Sequence, residues 1–284
     1  MEQIDAHQHY WNPARGDYDW MPNDNPVLAR TYGPADLAPE LAAYGIGRTI
    51  LVQAAATVAE TEYMLGIADA TPTVAGVVGW VDFERPEDLA VLRRLAGHPK
   101  FLGVRPMIQD IPDVDWMLRE DVQWGFRALS DLGLTFDALG LSIHLSNFLK
   151  ISKLYPDLRI VLDHCMKPEI RGHSPGVFGP WADGMSRLAT ETHACLKLSG
   201  LVTEAREDWT VEDLRPYADH VIAAFGPTRI MWGSDWPVCR LRGEYADWRR
   251  AAESLLSGLA EVDRARIFGG TATEFYQITP HRAV

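Results

Sequence analysis

The chain has 284 residues, 47% of them hydrophobic and 23% charged, which is the balance of an ordinary soluble globular protein. Its formal net charge of −12 repels phosphate backbones and anionic lipid, so neither nucleic acid nor a membrane surface is expected as a partner. No apolar run approaches the roughly 20 residues needed to span a bilayer.

Short apolar, β-branched runs alternate with stretches of helical spacing. The first strand covers 3–5 and runs into His7-Gln8-His9. A helix over 34–44 then precedes a strand over 49–53, and a helix over 58–70 precedes a strand over 74–80. Next come a helix over 86–95, a strand over 102–105, a helix over 116–132 and a strand over 135–139. The rest reads as helix 145–154, strand 159–163, helix 181–190, strand 194–198, helix 211–225, strand 229–232 and helix 245–256. Runs apolar on both faces suit a buried parallel sheet. Eight strand–helix repeats in about 250 residues match a closed (β/α)8 TIM barrel. An open doubly wound sheet would want a Gly-rich turn after its first strand, where this chain has His-Gln-His-Tyr-Trp. No linker or repeat interrupts the pattern, so the expectation is one α/β domain, a single (β/α)8 TIM barrel over 1–284.

Active sites of this fold lie at the C-terminal ends of the strands. The first strand brings His7 and His9, which share a face because alternate residues of a strand point the same way. The sixth brings His164 and the eighth Asp235. Three imidazoles and one carboxylate suit a mononuclear site for a borderline cation, zinc foremost, with the aspartate bridging metal and water. Taken singly, each has a structural alternative: strand-end polar residue, core histidine, or turn residue ahead of Pro237. Their shared placement favours the site.

Other strand ends supply candidates for substrate binding. Arg105, with Gln109 beyond it, can bind a carboxylate or polarise a carbonyl. Lys167 follows the sixth strand, Gln53 ends the second, and Trp80 ends the third as an apolar wall or stacking face. Lys197 alternates with Leu196 and Leu198, which leaves open whether it points inward or toward the helices. Two long connections, 10–33 and 165–181, are expected as lids or pocket walls. His144 is read as structural or as a support behind a site residue, and His98, His173, His193, His220 and His281 receive no site role. A serine hydrolase is disfavoured, since no Gly-x-Ser-x-Gly elbow is present. Cys165 and His164 are adjacent and so face opposite ways, which disfavours a Cys–His nucleophile pair. The three cysteines (Cys165, Cys195, Cys239) fit neither a disulfide framework nor a zinc knuckle. The opening Met1-Glu2-Gln3-Ile4-Asp5 has no signal-peptide character. A cytoplasmic location is expected.

The strings DAHQH, GVRPMIQ, VLDHCMKP, KLSGLVTEA and WGSDWPV resemble the amidohydrolase superfamily. They are most similar to its sugar-lactonase branch, which is fuconolactonase- and rhamnonolactonase-like. The resemblance runs in order along nearly the whole chain. It implies a (β/α)8 barrel that hydrolyses a cyclic ester. Dinuclear members carry a bridging lysine or carboxylate on the fourth strand and a histidine on the fifth. This chain has Arg105 and Phe136-Asp137-Ala138 there, so one cation at most is expected. The branch also includes members that work without a metal. In that version His7, His9 and His164 bind the lactone carbonyl and Asp235 is the general base. Pro106 stands where relatives often have a histidine, which points to a different substrate.

The leading expectation is therefore a hydrolase opening a sugar-acid lactone by Asp235-activated attack of water. The alternatives are a zinc-dependent decarboxylase of an aromatic or muconic acid, a lactonase of a dicarboxylic muconolactone or pyrone, and a barrel reduced to binding. The expected partner is a small lactone, and the sequence is equally compatible with a monomer and a homo-oligomer.

Overall fold

Segments such as Ile50-Leu51-Val52 and Ile160-Val161-Leu162 have no polar face, and both of their sides are buried. That is the condition of a strand with neighbours on both edges and helices behind it. The computed structural model describes residues 1–279, so His281 lies outside the described residues. The strands are β1 (Gln3–Gln8), β2 (Ile46–Val52), β3 (Val74–Gly79), β4 (Phe101–Val104), β5 (Thr135–Ala138), β6 (Arg159–Leu162), β7 (Cys195–Leu198) and β8 (Ile230–Trp232). They form one parallel sheet in sequence order. The circle closes just past β8. Asp235 N donates to His7 O at 2.8 Å and His9 N to Trp236 O at 2.7 Å. Ser234 N also donates to the Asp5 carboxylate at 2.8 Å. The fold is a (β/α)8 barrel, and its closure sets Asp235 beside His7 at the end of β1 and His9 just past it.

The helices outside the sheet are α1 (Pro34–Tyr44), α2 (Val58–Ala70), α3 (Leu89–Ala96), α4 (Gln123–Asp131), α5 (Leu145–Leu154), α6 (Pro175–Glu191), α7 (Leu201–Glu204), α8 (Val211–Phe225), α9 (Tyr245–Leu255), α10 (Glu261–Ala265) and α11 (Thr271–Phe275). Local chemistry fixes several of their starts. Thr57 caps α2 by accepting from Glu60 N at 3.0 Å, and Thr210 opens α8 with Asp213 accepting from its N–H at 2.8 Å. Among the described residues, no helix is long and apolar enough to cross a membrane.

Two helix expectations are corrected. The stretch 116–132 is two 3-10 turns followed by α4, because Arg119 is extended (φ −62°, ψ 143°) and interrupts the run. Helix α6 starts at Pro175 rather than 181. Its Gly- and Pro-rich first turn reads as loop, yet proline suits the first helical position, where no N–H partner is needed.

The C-terminal segment seals the barrel at the end opposite the site. Phe275, Tyr276 and Ile278 pack on Ile4, Ile50 and Val78 inside the sheet. Arg48 Nη1 donates to Thr279 O at 2.7 Å, and Arg159, at the start of β6, donates to Phe275 O.

Candidate active site

The residues after β6 take an unusual path. His164, Cys165, Met166 and Lys167 all have φ between 46° and 59°. The left-handed region costs a non-glycine residue roughly 1–2 kcal/mol. This turn swings the His164 ring back over the barrel mouth. Gly200, itself at φ 66°, makes room for it, since a Cβ there would lie 2.7 Å from the His164 Cβ and Nδ1. Asp235 also has positive φ (56°), a conformation that Asp tolerates better than most residues.

His9, His164 and Asp235 line the floor of one cavity of about 280 Å3, and His7, wholly buried, stands directly behind them. His9 Nε2 lies 3.2 Å from His7 Nε2 and 3.3 Å from Asp235 Oδ1. The same carboxylate oxygen is 3.8 Å from His7 Nε2 and 3.9 Å from His164 Nε2. All four are nearly or wholly buried. His9 Nδ1 faces Val52 O at 2.7 Å, so it carries the ring's hydrogen and leaves Nε2 as a bare lone pair toward the cavity. His164 Nδ1 contacts Ser199 Oγ at 3.0 Å.

A layer of buried charge supports this floor. Lys197 Nζ pairs with Asp137 Oδ2 at 2.5 Å and Asp163 Oδ1 at 3.1 Å, and lies 3.2 Å from His7 Nδ1. Arg105 Nη1 lies 3.4 Å from both Asp163 Oδ2 and His7 Nε2. Its other amino group donates to Gln53 O. Asp137 also accepts from Tyr276 OH at 2.6 Å and Thr135 Oγ1 at 3.1 Å. Three carboxylates (Asp137, Asp163, Asp235) thus face two buried cations, an excess of one negative charge centred on Asp235.

Burial holds His7 and His164 well below the ordinary histidine pKa, and the Lys197 charge adds to this at His7. Burial also lowers His9, against the pull of Asp235. At Asp235 burial pushes the pKa up, but His164, His9 and Lys167 outweigh it and hold the carboxyl below its usual value. The floor is therefore neutral imidazoles around a carboxylate.

The donor set fits a cation. Ligand atoms about 2.1 Å from a tetrahedral zinc stand roughly 3.4 Å apart. The separations among His7 Nε2, His9 Nε2 and Asp235 Oδ1, from 3.2 to 3.8 Å, surround that spacing.

Of the expected substrate-binding residues, Arg105, Gln109 and Lys167 line the cavity. Gln53 and Trp80 do not line it, which corrects their reading as substrate contacts. Gln53 is wholly buried and donates to Arg105 O at 2.6 Å, so it braces Arg105. The Trp80 backbone is tied to Thr61 Oγ1. The aromatic wall is instead Trp11 and Trp20, from the long connection after β1. Their rings meet edge to face at 5.9 Å, and Trp20 Nε1 donates to Ala54 O at 2.6 Å. Sequence reasoning assigned no role to Asp137, Asp163, Ser199 or Tyr276. His98, His173 and His220 are engaged elsewhere, with Asp69, Tyr217 and Ser186. His144 Nδ1 accepts from Leu141 N.

An L-fucono-1,5-lactonase of Burkholderia ambifaria is 42% identical over 280 residues, covering 97% of this chain and 96% of that protein. A second L-fucono-1,5-lactonase, from Burkholderia multivorans, is 35% identical over 97% of this chain and 96% of its own length. The crystal structure of a Burkholderia multivorans amidohydrolase with bound zinc superposes with a TM-score of 0.91 at 33% identity, covering 98% of this chain and 100% of that one. The amidohydrolase family model matches residues 4–278, and the chain belongs to the amidohydrolase family.

Proposed function

We propose that this protein is a hydrolase that opens a sugar-acid lactone. The observation that carries the reading is Asp235 Oδ1, at the floor of the cavity, within 3.9 Å of a nitrogen of each of three buried imidazoles. The likeness to two L-fucono-1,5-lactonases over nearly the full length supports an aldonolactone as the substrate.

Asp235, held as a carboxylate, takes a proton from water as the water oxygen attacks the ring carbonyl. Arg105 and the His164 ring face the carbonyl oxygen as it gains charge. Breaking the ring C–O bond then needs a proton on the leaving oxygen, and Asp235 returns the one it took. The product is an open hydroxy acid. Lys167 and Gln109 bind substrate hydroxyls at the cavity wall, and the Trp11–Trp20 wall meets the apolar face of the ring. His7, His9, His164 and Asp235 are the residues that would hold a divalent cation, zinc foremost. Such an ion, when bound, polarises the lactone carbonyl.

The test is acid release from a panel of aldonolactones, followed with a pH indicator, with and without chelator. The expected result is one equivalent of acid per lactone. Silence on every lactone, or CO2 release from aromatic or muconic acids instead, would overturn the reading.

A further inference from the structure

The His7 ring stands between two possible partners for Nδ1. Lys197 Nζ, a donor, is 3.2 Å away, and Asp163 Oδ1, an acceptor, is 3.5 Å away. Each selects a different tautomer. Accepting from Lys197 places the ring hydrogen on Nε2, toward His9 and Asp235. Donating to Asp163 leaves Nε2 as a lone pair, the form that a cation needs.

On the opposite side, His7 Nε2 faces the His9 ring and also Arg105 Nη1 at 3.4 Å, a donor that Asp163 Oδ2 draws off at the same distance. His7 Nε2 lies 3.2 Å from His9 Nε2, which is a bare lone pair because His9 Nδ1 is committed to Val52 O. Two lone pairs at that distance repel, whereas an N–H facing a lone pair is a hydrogen bond. Lys197 is in turn unable to move away. Asp137 and Asp163 clamp its ammonium, and Asp137 is pinned by Tyr276 and Thr135. All of these groups except Tyr276 are wholly buried, and Tyr276 is 2% exposed.

We propose that Lys197, anchored from the C-terminal plug through Tyr276 and Asp137, is a positioning residue that holds His7 in its Nε2–H tautomer. The ring then directs an N–H at His9 Nε2 and Asp235 beneath the cavity in the absence of a cation. Zinc entry requires the ring hydrogen to move to Nδ1 and face Asp163, so Lys197 weakens metal binding and favours catalysis by hydrogen bonding. That catalytic consequence rests on the lactonase reading, while the tautomer itself does not.

The decisive measurement is nitrogen NMR of 15N-histidine-labelled, metal-stripped wild-type protein, with His7→Asn assigning the ring. The expected spectrum has protonated Nε2 and bare Nδ1 at His7, and the reverse at His9. A protonated Nδ1 at His7 overturns the proposal. A second arm uses the double variant Lys197→Met with Asp137→Asn, which removes one charge of each sign. There His7 is expected to flip to Nδ1–H, and zinc to bind about 10-fold tighter in competition with a chromogenic chelator. Unchanged or weaker zinc binding in the folded double variant also overturns it. If the double variant does not fold, the wild-type spectrum still decides. If the wild type opens no lactone, the proposed function fails while the tautomer result stands.

Discussion

Asp235 is the residue on which the chemistry turns, and its backbone makes it unusually easy to test. At φ 56° most side chains would be strained, but asparagine is among the residues that accept this region. Asp235→Asn therefore keeps shape and backbone while losing the proton acceptor. Turnover is expected to fall 10²–10⁴-fold, the contribution typical of a positioned base. The thermal midpoint should move little, because the asparagine amide N–H can donate to the bare His9 Nε2 that stands 3.3 Å from the Asp235 carboxylate. Wild-type kcat in a folded variant would remove Asp235 from the mechanism. At this scale the sequence carried much of the site: His7, His9, His164 and Asp235 were legible from strand parity and strand ends. The side-chain direction of Lys197 was not. In β7 both faces are buried, so alternation with Leu196 and Leu198 says that Lys197 faces the other way without saying which way is inward. Asp137 and Asp163 were obscured for the same reason.

At the scale of elements, strands were legible because burial on both faces leaves uninterrupted apolar runs, and α1, α2, α5 and α8 because their ends carry caps or breakers. The failures have equally local causes. One extended residue, Arg119, splits the expected helix 116–132, and α10 and α11 are each five residues long, too short for periodicity to register. The join between β2 and α2 depends on a carboxylate. Glu60 accepts from Ala54 N at 3.0 Å and Ala55 N at 2.7 Å, while Ala54 O holds the Trp20 indole over the cavity. Burial raises the Glu60 pKa from 4.5 to about 7, against the pull of those N–H groups. The folded state therefore binds a proton that the unfolded chain has released, and stability falls as pH rises between about 4.5 and 7. Glu60→Gln cannot titrate. The stability of the wild type relative to this variant should drop by on the order of 3 kcal/mol between pH 4.5 and 8 and level off above pH 7. Denaturant unfolding of both proteins across that range checks it, and parallel pH curves would show that Glu60 does not carry the effect.

At the scale of the whole molecule, the two ends of the barrel are joined by polar contacts through its centre. Tyr276, beyond the last helix, reaches up to Asp137, Asp137 to Lys197, and Lys197 to His7 behind the cavity floor. No local pattern in the chain announces this, since the partners are separated by 139, 60 and 190 positions. The phenol has two jobs: its ring fills the sealed end of the barrel with Phe275 and Ile278, and its hydroxyl satisfies a buried carboxylate. Tyr276→Phe separates them, keeping the packing and deleting only the hydrogen bond. Asp137 keeps its contacts with Lys197 and Thr135, so the ion pair survives with one acceptor site unfilled. Hydrogen bonds to charged groups contribute about 1.5–3 kcal/mol. Tyr276→Phe should therefore lower unfolding free energy by roughly 2 kcal/mol, with the denaturant m-value unchanged because the same surface is exposed on unfolding. If the midpoint stays at its wild-type position, the hydroxyl contributes nothing, and the C-terminal segment acts on the barrel only as an apolar stopper.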